Sequence, residues 1–114
     1  MDQSERRLYS KVKKEIDKHI DEYCFFNEKD RWYSGITNDP KRRLAQHEKD
    51  KKVMYPKVWN VKSMEVAHEL EKYCSHKGFK NTDNLAGAKP DSNYFYIFKT
   101  DLTIGDQIIN FFRN

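Results

Sequence analysis

Within fifteen residues the chain carries a tyrosine, a bare backbone position, an arginine and a histidine: Tyr33, Gly35, Arg43 and His47. These are the parts needed to hydrolyse a phosphodiester. A guanidinium matches the trigonal geometry of a phosphate under attack and stays charged at any working pH. A phenol or an imidazole orients or deprotonates a water. Read as a strand, the segment sends Trp32, Ser34 and Ile36 to one face and Tyr33, Gly35 and Thr37 to the other. The missing side chain of Gly35 then leaves a vacancy beside the Tyr33 hydroxyl through which a phosphate can approach. Arg43 and His47, four residues apart, share one face of the helix that follows. Arg42 points about 100° away from Arg43, and with Lys41 it forms the flanking set of phosphate contacts. The same residue types also suit a packed tyrosine with a surface-reaching hydroxyl and a solvated basic helix face, so both readings stand at this level.

Glu71 supplies the acidic partner. Its helix has Ala67 one turn earlier and Cys74 three residues later, so its carboxylate borders the buried stripe, whereas Glu65 and Glu69 lie further outward. A carboxylate oxygen is what Mg²⁺ or Mn²⁺ takes alongside substrate phosphate and water, and one protein ligand can suffice. A half-exposed salt-bridge partner is the other reading of the same residue.

The elements that must position these groups follow from periodicity and punctuation. Leu8, Val12, Ile16 and Ile20 recur every four residues, which predicts an amphipathic helix from Ser4, as N-cap, to about Ile20. The spacing favours docking on the domain over a coiled coil, which needs heptads. Tyr23 to Phe26 reads as a short strand, Asn27 to Asp30 as a turn and Arg31 to Thr37 as a second strand. Together they make a hairpin that brings Tyr23 to the face of Tyr33. Asp39 as N-cap and Pro40 at the first helical position open a helix to about Asp50, with Leu44 and Ala45 facing inward. Tyr55 to Val61 is a strand that Pro56 confines to an edge. Ser63 caps a helix whose apolar stripe is Val66, Leu70 and Tyr73 and which Gly78 ends. Lys80 to Asn93 reads as a loop. The run Tyr94 to Phe98 is apolar enough to lie centrally, and Thr103 to Phe112 reads as a closing helix. The sum is an α/β (α+β) domain: a small mixed, mainly antiparallel central sheet flanked by helices, with an extra N-terminal amphipathic helix.

At 114 residues one core is the expectation, a single domain over 1–114 with an N-terminal helical extension at 1–21, a core at 22–99 and a C-terminal helix at 100–114. Charged residues make up 35%, but the 14% aromatic content in clusters supplies apolar area for a fold. The net charge of +4 permits a polyanionic partner without requiring one. Between Asn38 and Lys52 six basic residues face three acidic ones, beside the proposed site. Cys24 and Cys74 are too few for a disulfide framework and lack Cys-x-x-Cys spacing, which points to free thiols. The first residues carry no apolar signal region, and no run approaches the ~20 apolar residues of a membrane span. A cytoplasmic protein is expected, with no membrane partner.

The stretch Tyr33-Ser34-Gly35-Ile36-Thr37-Asn38-Asp39-Pro40-Lys41-Arg42-Arg43-Leu44-Ala45-Gln46-His47 resembles the second half of the GIY-YIG endonuclease signature, a Tyr-x-Gly strand followed by an arginine-bearing helix. Ala67-His68-Glu69-Leu70-Glu71 is similar to the alanine-rich helix that carries that family's metal-binding glutamate. The resemblance covers roughly Glu22 to Lys99, with the family's opening Gly-Ile-Tyr falling on Asp21-Glu22-Tyr23 and Ser34 standing where an aliphatic residue is usual. It implies that Tyr33 acts as general base or activates water, assisted by Tyr23 and His47. It further implies that Arg43 stabilises the developing phosphorane-like charge and that Glu71 holds one Mg²⁺ or Mn²⁺. The asparagine the family places past the glutamate helix has two candidates here, Asn81 and Asn84.

The expected function is a divalent-metal-dependent endonuclease hydrolysing DNA phosphodiester bonds. The catalytic set is Tyr23, Tyr33, Arg43, His47 and Glu71; Gly35, Lys41 and Arg42 contact substrate. Two alternatives accompany it: a nucleic-acid-binding module that has lost turnover, and a protein-interaction domain that docks through the N-terminal helix. The oligomeric state, monomer or weak dimer, stays open.

Overall fold

The structure, a computed structural model, describes residues 1–24, 28–82 and 91–101. Among the described residues three helices flank a four-stranded mixed sheet, as the pattern of elements predicts. Helix α1 spans Gln3–Tyr23. Its cap is Asp2, not Ser4: the Asp2 carboxylate accepts from Glu5 N and the Glu5 side chain accepts from Asp2 N, a reciprocal capping box that satisfies two of the first-turn donors. The seam docks intramolecularly. Val12, Ile16 and Ile20 are buried and Leu8 packs against them, each large buried side chain contributing about 2 kcal/mol.

A 3-10 turn at Lys29–Arg31 leads into β1, Trp32–Thr37. Helix α2 covers Pro40–His47, β2 covers Met54–Asn60, and α3 covers Met64–His76. A two-residue strand β3, Lys80–Asn81, and the strand β4, Tyr94–Lys99, complete the sheet. The strand order is β2-β4-β1-β3, with β1 and β3 parallel and the other pairs antiparallel. β2 therefore lies at an edge, as Pro56 demands, and the apolar β4 is central and buried from Phe95 to Lys99.

The expected hairpin is not formed. Helix α1 runs on through Tyr23, whose turn is closed by Cys24 N donating to Ile20 O at 2.7 Å, so Tyr23 is helical where a strand was expected; Phe25 to Asn27 lie outside the described residues. The antiparallel partner of β1 is β4, which pairs Trp32 with Lys99 through to Thr37 with Tyr94. The two chain ends of this pair meet where Thr100 N donates to Arg31 O at 3.0 Å and Arg31 Nε donates to Thr100 O at 2.9 Å. Two other expectations shift. α2 stops at His47, three residues short of Asp50, with Leu44 half-buried and Ala45 exposed, so His47 is its inward residue. The segment read as a loop from Lys80 supplies β3; residues 83–90 and the closing helix at Thr103 to Phe112 lie outside the described residues.

One face of the sheet presents Trp32, Ile36, Phe95 and Ile97 to α1 and α3, whose Val66, Ala67, Leu70 and Cys74 complete the main core. α3 is delimited at both ends by the expected residues. Ser63 Oγ accepts from Val66 N at 3.3 Å. At the other end Gly78 takes a φ of 101°, while Phe79 N donates to Cys74 O and Gly78 N to Ser75 O, a paired closure that only a residue tolerant of left-handed backbone makes without strain. The N-termini of α1 and α3 are tied by Ser63 Oγ donating to Glu5 Oε2 at 2.6 Å. Burial pushes the Cys74 thiol up to about 12, which leaves it inert at neutral pH. Among the described residues no helix is long and apolar enough to cross a membrane.

Candidate active site

The opposite face of the sheet carries Tyr33 and Gly35 from β1 and Tyr96 and Phe98 from β4, because side chains alternate and paired residues share a face. α2 is brought over this face by a sharp turn. Thr37 Oγ1 accepts from Asp39 N at 3.0 Å, Asp39 Oδ1 then accepts from Arg42 N at 3.1 Å, and Pro40 starts the helix. About two turns later His47 is delivered, only 7% exposed, against the rings of Tyr96 and Phe98, with centroids at 5.8 and 5.0 Å.

The Tyr96 hydroxyl is the hub of the site. It lies 2.9 Å from His47 Nε2 and 3.2 Å from Thr82 Oγ1. The charges of Arg43 and Glu71 both bear on it. Burial raises the phenol's pKa; the Thr82 hydrogen bond and the charge and hydrogen bond of Arg43 pull it down, and the Glu71 charge pushes it up. The Tyr96 side chain is fully buried. Its cross-strand neighbour is Gly35, and a Cβ built on Gly35 would sit 2.3 Å from both Tyr96 Cζ and Tyr96 Oη and 2.6 Å from Thr82 Oγ1. The glycine thus lets an aromatic ring lie against the strand. The space expected for a phosphate at Gly35 is taken by the Tyr96 ring and Thr82.

His47 is neutral at pH 7. Its pKa is lowered to about 4, first by burial and then by the charges of Arg43 and Lys51. An assignment that satisfies every group follows. Tyr96 donates its own proton to the unprotonated Nε2 of His47, which leaves its oxygen to accept from Thr82. Such a chain strengthens each bond in it.

Tyr33 stands one ring further out. It is half-buried, stacked on Phe98 with centroids 5.3 Å apart and planes 5° apart, and the ammonium groups of Lys51 and Lys80 lie 4.9 and 5.9 Å from its ring centroid. Arg43 is half-buried and its Nη1 donates to Gln46 Oε1 at 3.1 Å. Glu71 is half-buried on α3. Lys41 is exposed, and Arg42 turns to the start of α2, with Nε 3.6 Å from Asp39 Oδ2 and Nη2 donating to Asn38 Oδ1 at 3.4 Å.

Arg43 and His47 therefore gather about the Tyr96 hydroxyl over Gly35, with Tyr33 at the rim and Glu71 within electrostatic reach, and Tyr23 does not join them. It packs with the main core beside α1, stacked on Tyr55 at 4.3 Å, because the helix containing it lies against the other face of the sheet. The second phenol on the site's face is Tyr96. Its signal was present in the sequence as three rings at period two, Tyr94, Tyr96 and Phe98, and as a strand glycine that marks a close approach. Of the two candidate asparagines, Asn81 turns towards α3, its Oδ1 accepting from Ser34 Oγ and Ser75 Oγ at 3.1 Å each, while its neighbour Thr82 enters the site; Asn84 lies outside the described residues. Among the described residues no group of three or more His, Cys, Asp or Glu side chains could hold a metal ion. A divalent cation here would rest on Glu71 as its protein ligand, the mode in which substrate phosphate and water complete the shell. No protein-family model matches the chain, and no curated protein or solved structure matches it.

Proposed function

We propose that the protein is a divalent-metal-dependent endonuclease of GIY-YIG type that hydrolyses DNA phosphodiester bonds. The observation that carries this reading is the Tyr96 hydroxyl bonded to His47 and Thr82 and within the charge fields of Arg43 and Glu71, on the sheet face that also holds Tyr33. An arginine, a carboxylate and a neutral imidazole around one phenol make up the donor set for binding a phosphate and moving a proton from water.

Tyr33, the half-exposed phenol, meets the attacking water and orients it. Tyr96 is a positioning residue: buried, it holds the guanidinium of Arg43 and the imidazole of His47 in register. Arg43 binds the scissile phosphate and stabilises the charge that builds on its oxygens as water adds to phosphorus and the bond to the leaving sugar oxygen breaks. The proton released by water passes through Tyr33 to solvent, and the leaving oxygen takes one up from solvent. Glu71 would hold Mg²⁺ or Mn²⁺, which would supply Lewis-acid polarisation of the phosphate. Lys51 and Lys80 beside Tyr33 add phosphate contacts, as do the exposed Lys41 and Arg42. A cytoplasmic setting and a monomer or weak dimer complete the proposal.

Purified protein with Mg²⁺ or Mn²⁺ nicks supercoiled plasmid, and Arg43→Ala or Glu71→Ala abolishes nicking while circular dichroism stays unchanged. Equal nicking by both variants overturns the assignment. The full burial of Tyr96 favours a second reading, a nucleic-acid-binding module in which the hydroxyl network is structural. Salt-sensitive DNA binding with no metal-dependent cleavage selects it.

A further inference from the structure

The buried stripe of α1, Val12, Ile16 and Ile20, leaves its opposite side facing solvent. At about 100° per residue, Arg7, Lys11, Lys14 and Lys18 fall within an arc of about 60° centred opposite that stripe. All four are exposed, and among the described residues none of them enters a salt bridge. Arg6, also exposed, stands on the flank of this face, and the helix's remaining charges are used differently. Lys13 sits over the rings of Tyr9 and Tyr73, Asp17 accepts from Tyr73 Oη and pairs with Lys77, and Glu5 closes the cap and meets Ser63. Glu15 borders the stripe, and Asp21 and Glu22 lie past its C-terminal end.

From Arg7 to Lys18 is about 16 Å at ~1.5 Å per residue, which spans about five phosphates of one DNA strand at ~3.4 Å each. A membrane surface is a poorer match. An interfacial helix inserts aromatic and aliphatic residues, whereas α1 commits its apolar face to the core and shows solvent only Gln3, Ser4 and Ser10 between the charges. α1 packs on the sheet face of Trp32 and α3, while Arg43 and His47 serve the opposite face. A duplex lying against Arg43 does not also run along the outside of α1.

We infer that the outer face of α1 is a second nucleic-acid surface, back to back with the candidate active site, which grips the phosphate backbone of a separate stretch of duplex through Arg7, Lys11, Lys14 and Lys18. This rests on the proposed function only for its choice of DNA as the polyanion. The test compares the full chain with its Arg7→Gln/Lys11→Gln/Lys14→Gln/Lys18→Gln variant, binding a short fluorescent duplex without divalent metal, so that turnover plays no part. The slope of log K against log salt falls by about 3.6 in the variant, at ~0.9 for each of its four phosphate contacts, and its thermal melt stays that of the parent. Wild-type protein on an immobilised duplex captures a second labelled duplex, and the variant does not. An unchanged salt slope overturns the inference, as does binding to anionic phospholipid vesicles with none to DNA. A reduced slope with no second-duplex capture by wild type overturns the separate stretch. Wild type that binds through this surface yet never cuts refutes the nuclease reading and leaves the α1 surface standing.

Discussion

Replacing Gly35 with alanine tests the geometry at the centre of the site. The new methyl carbon would lie 2.3 Å from Tyr96 Cζ and Oη and 2.6 Å from Thr82 Oγ1. Thr82 can give way by rotating about χ1, but the Tyr96 ring is fully buried and stacked 6.3 Å from Phe98, so it can only be pushed as a body. Overpacking of this kind costs about 1–3 kcal/mol, and displacing the hydroxyl from His47 adds about 1 kcal/mol for a buried hydrogen bond. The expected loss is about 3 kcal/mol, a fall in Tm of about 10 °C for a domain of this size. Urea unfolding with an unchanged m-value measures it. A double-mutant cycle assigns it: in a Tyr96→Leu background the obstructing atoms are gone, so Gly35→Ala costs under about 1 kcal/mol, or stabilises, since alanine suits a strand better than glycine by about 0.5–1 kcal/mol. An equal penalty in both backgrounds refutes the idea that Gly35 exists to admit the Tyr96 ring.

Three further outcomes are expected. His47 has a folded pKa of about 4 against an unfolded 6.5, so the unfolded chain binds the proton first as pH falls; the stability this residue contributes is complete above about pH 6.5 and is lost towards pH 4, by about 3 kcal/mol at ~1.36 kcal/mol per unit. His47→Gln flattens that part of the pH profile of urea midpoints, and an unaltered profile rejects the assignment. Ser63→Ala removes both the α3 cap and the link to Glu5, costing about 1–2 kcal/mol, read by thermal melting; a change under about 0.3 kcal/mol contradicts it. Tyr96→Phe slows plasmid nicking tenfold or more at pH 7 whereas Tyr23→Phe leaves it within twofold, and the reverse order would return the second phenol to Tyr23.

The local punctuation of this chain was legible without coordinates. Asp39-Pro40, Ser63 and Gly78 start or end helices through bonds that reach only a few residues, so their meaning is carried by the nearby sequence. Pro56 marks an edge and the apolar run at Tyr94 a centre, because each reports whether one strand's own groups are covered. Helix periodicity likewise put Arg43 and His47 on one face of α2, whereas nothing in the spacing tied Glu71, on another helix, to them. What only the tertiary structure decided is which strand lies beside Tyr33. Pairing joins groups some sixty residues apart, such as Gly35 with Tyr96, and no bond within reach of Tyr23 distinguishes a strand there from one more turn of α1. Burying the Val12, Ile16 and Ile20 seam on the sheet favours the helix, which carries Tyr23 to the far face and leaves the strand of Tyr96 to fill the place beside Tyr33.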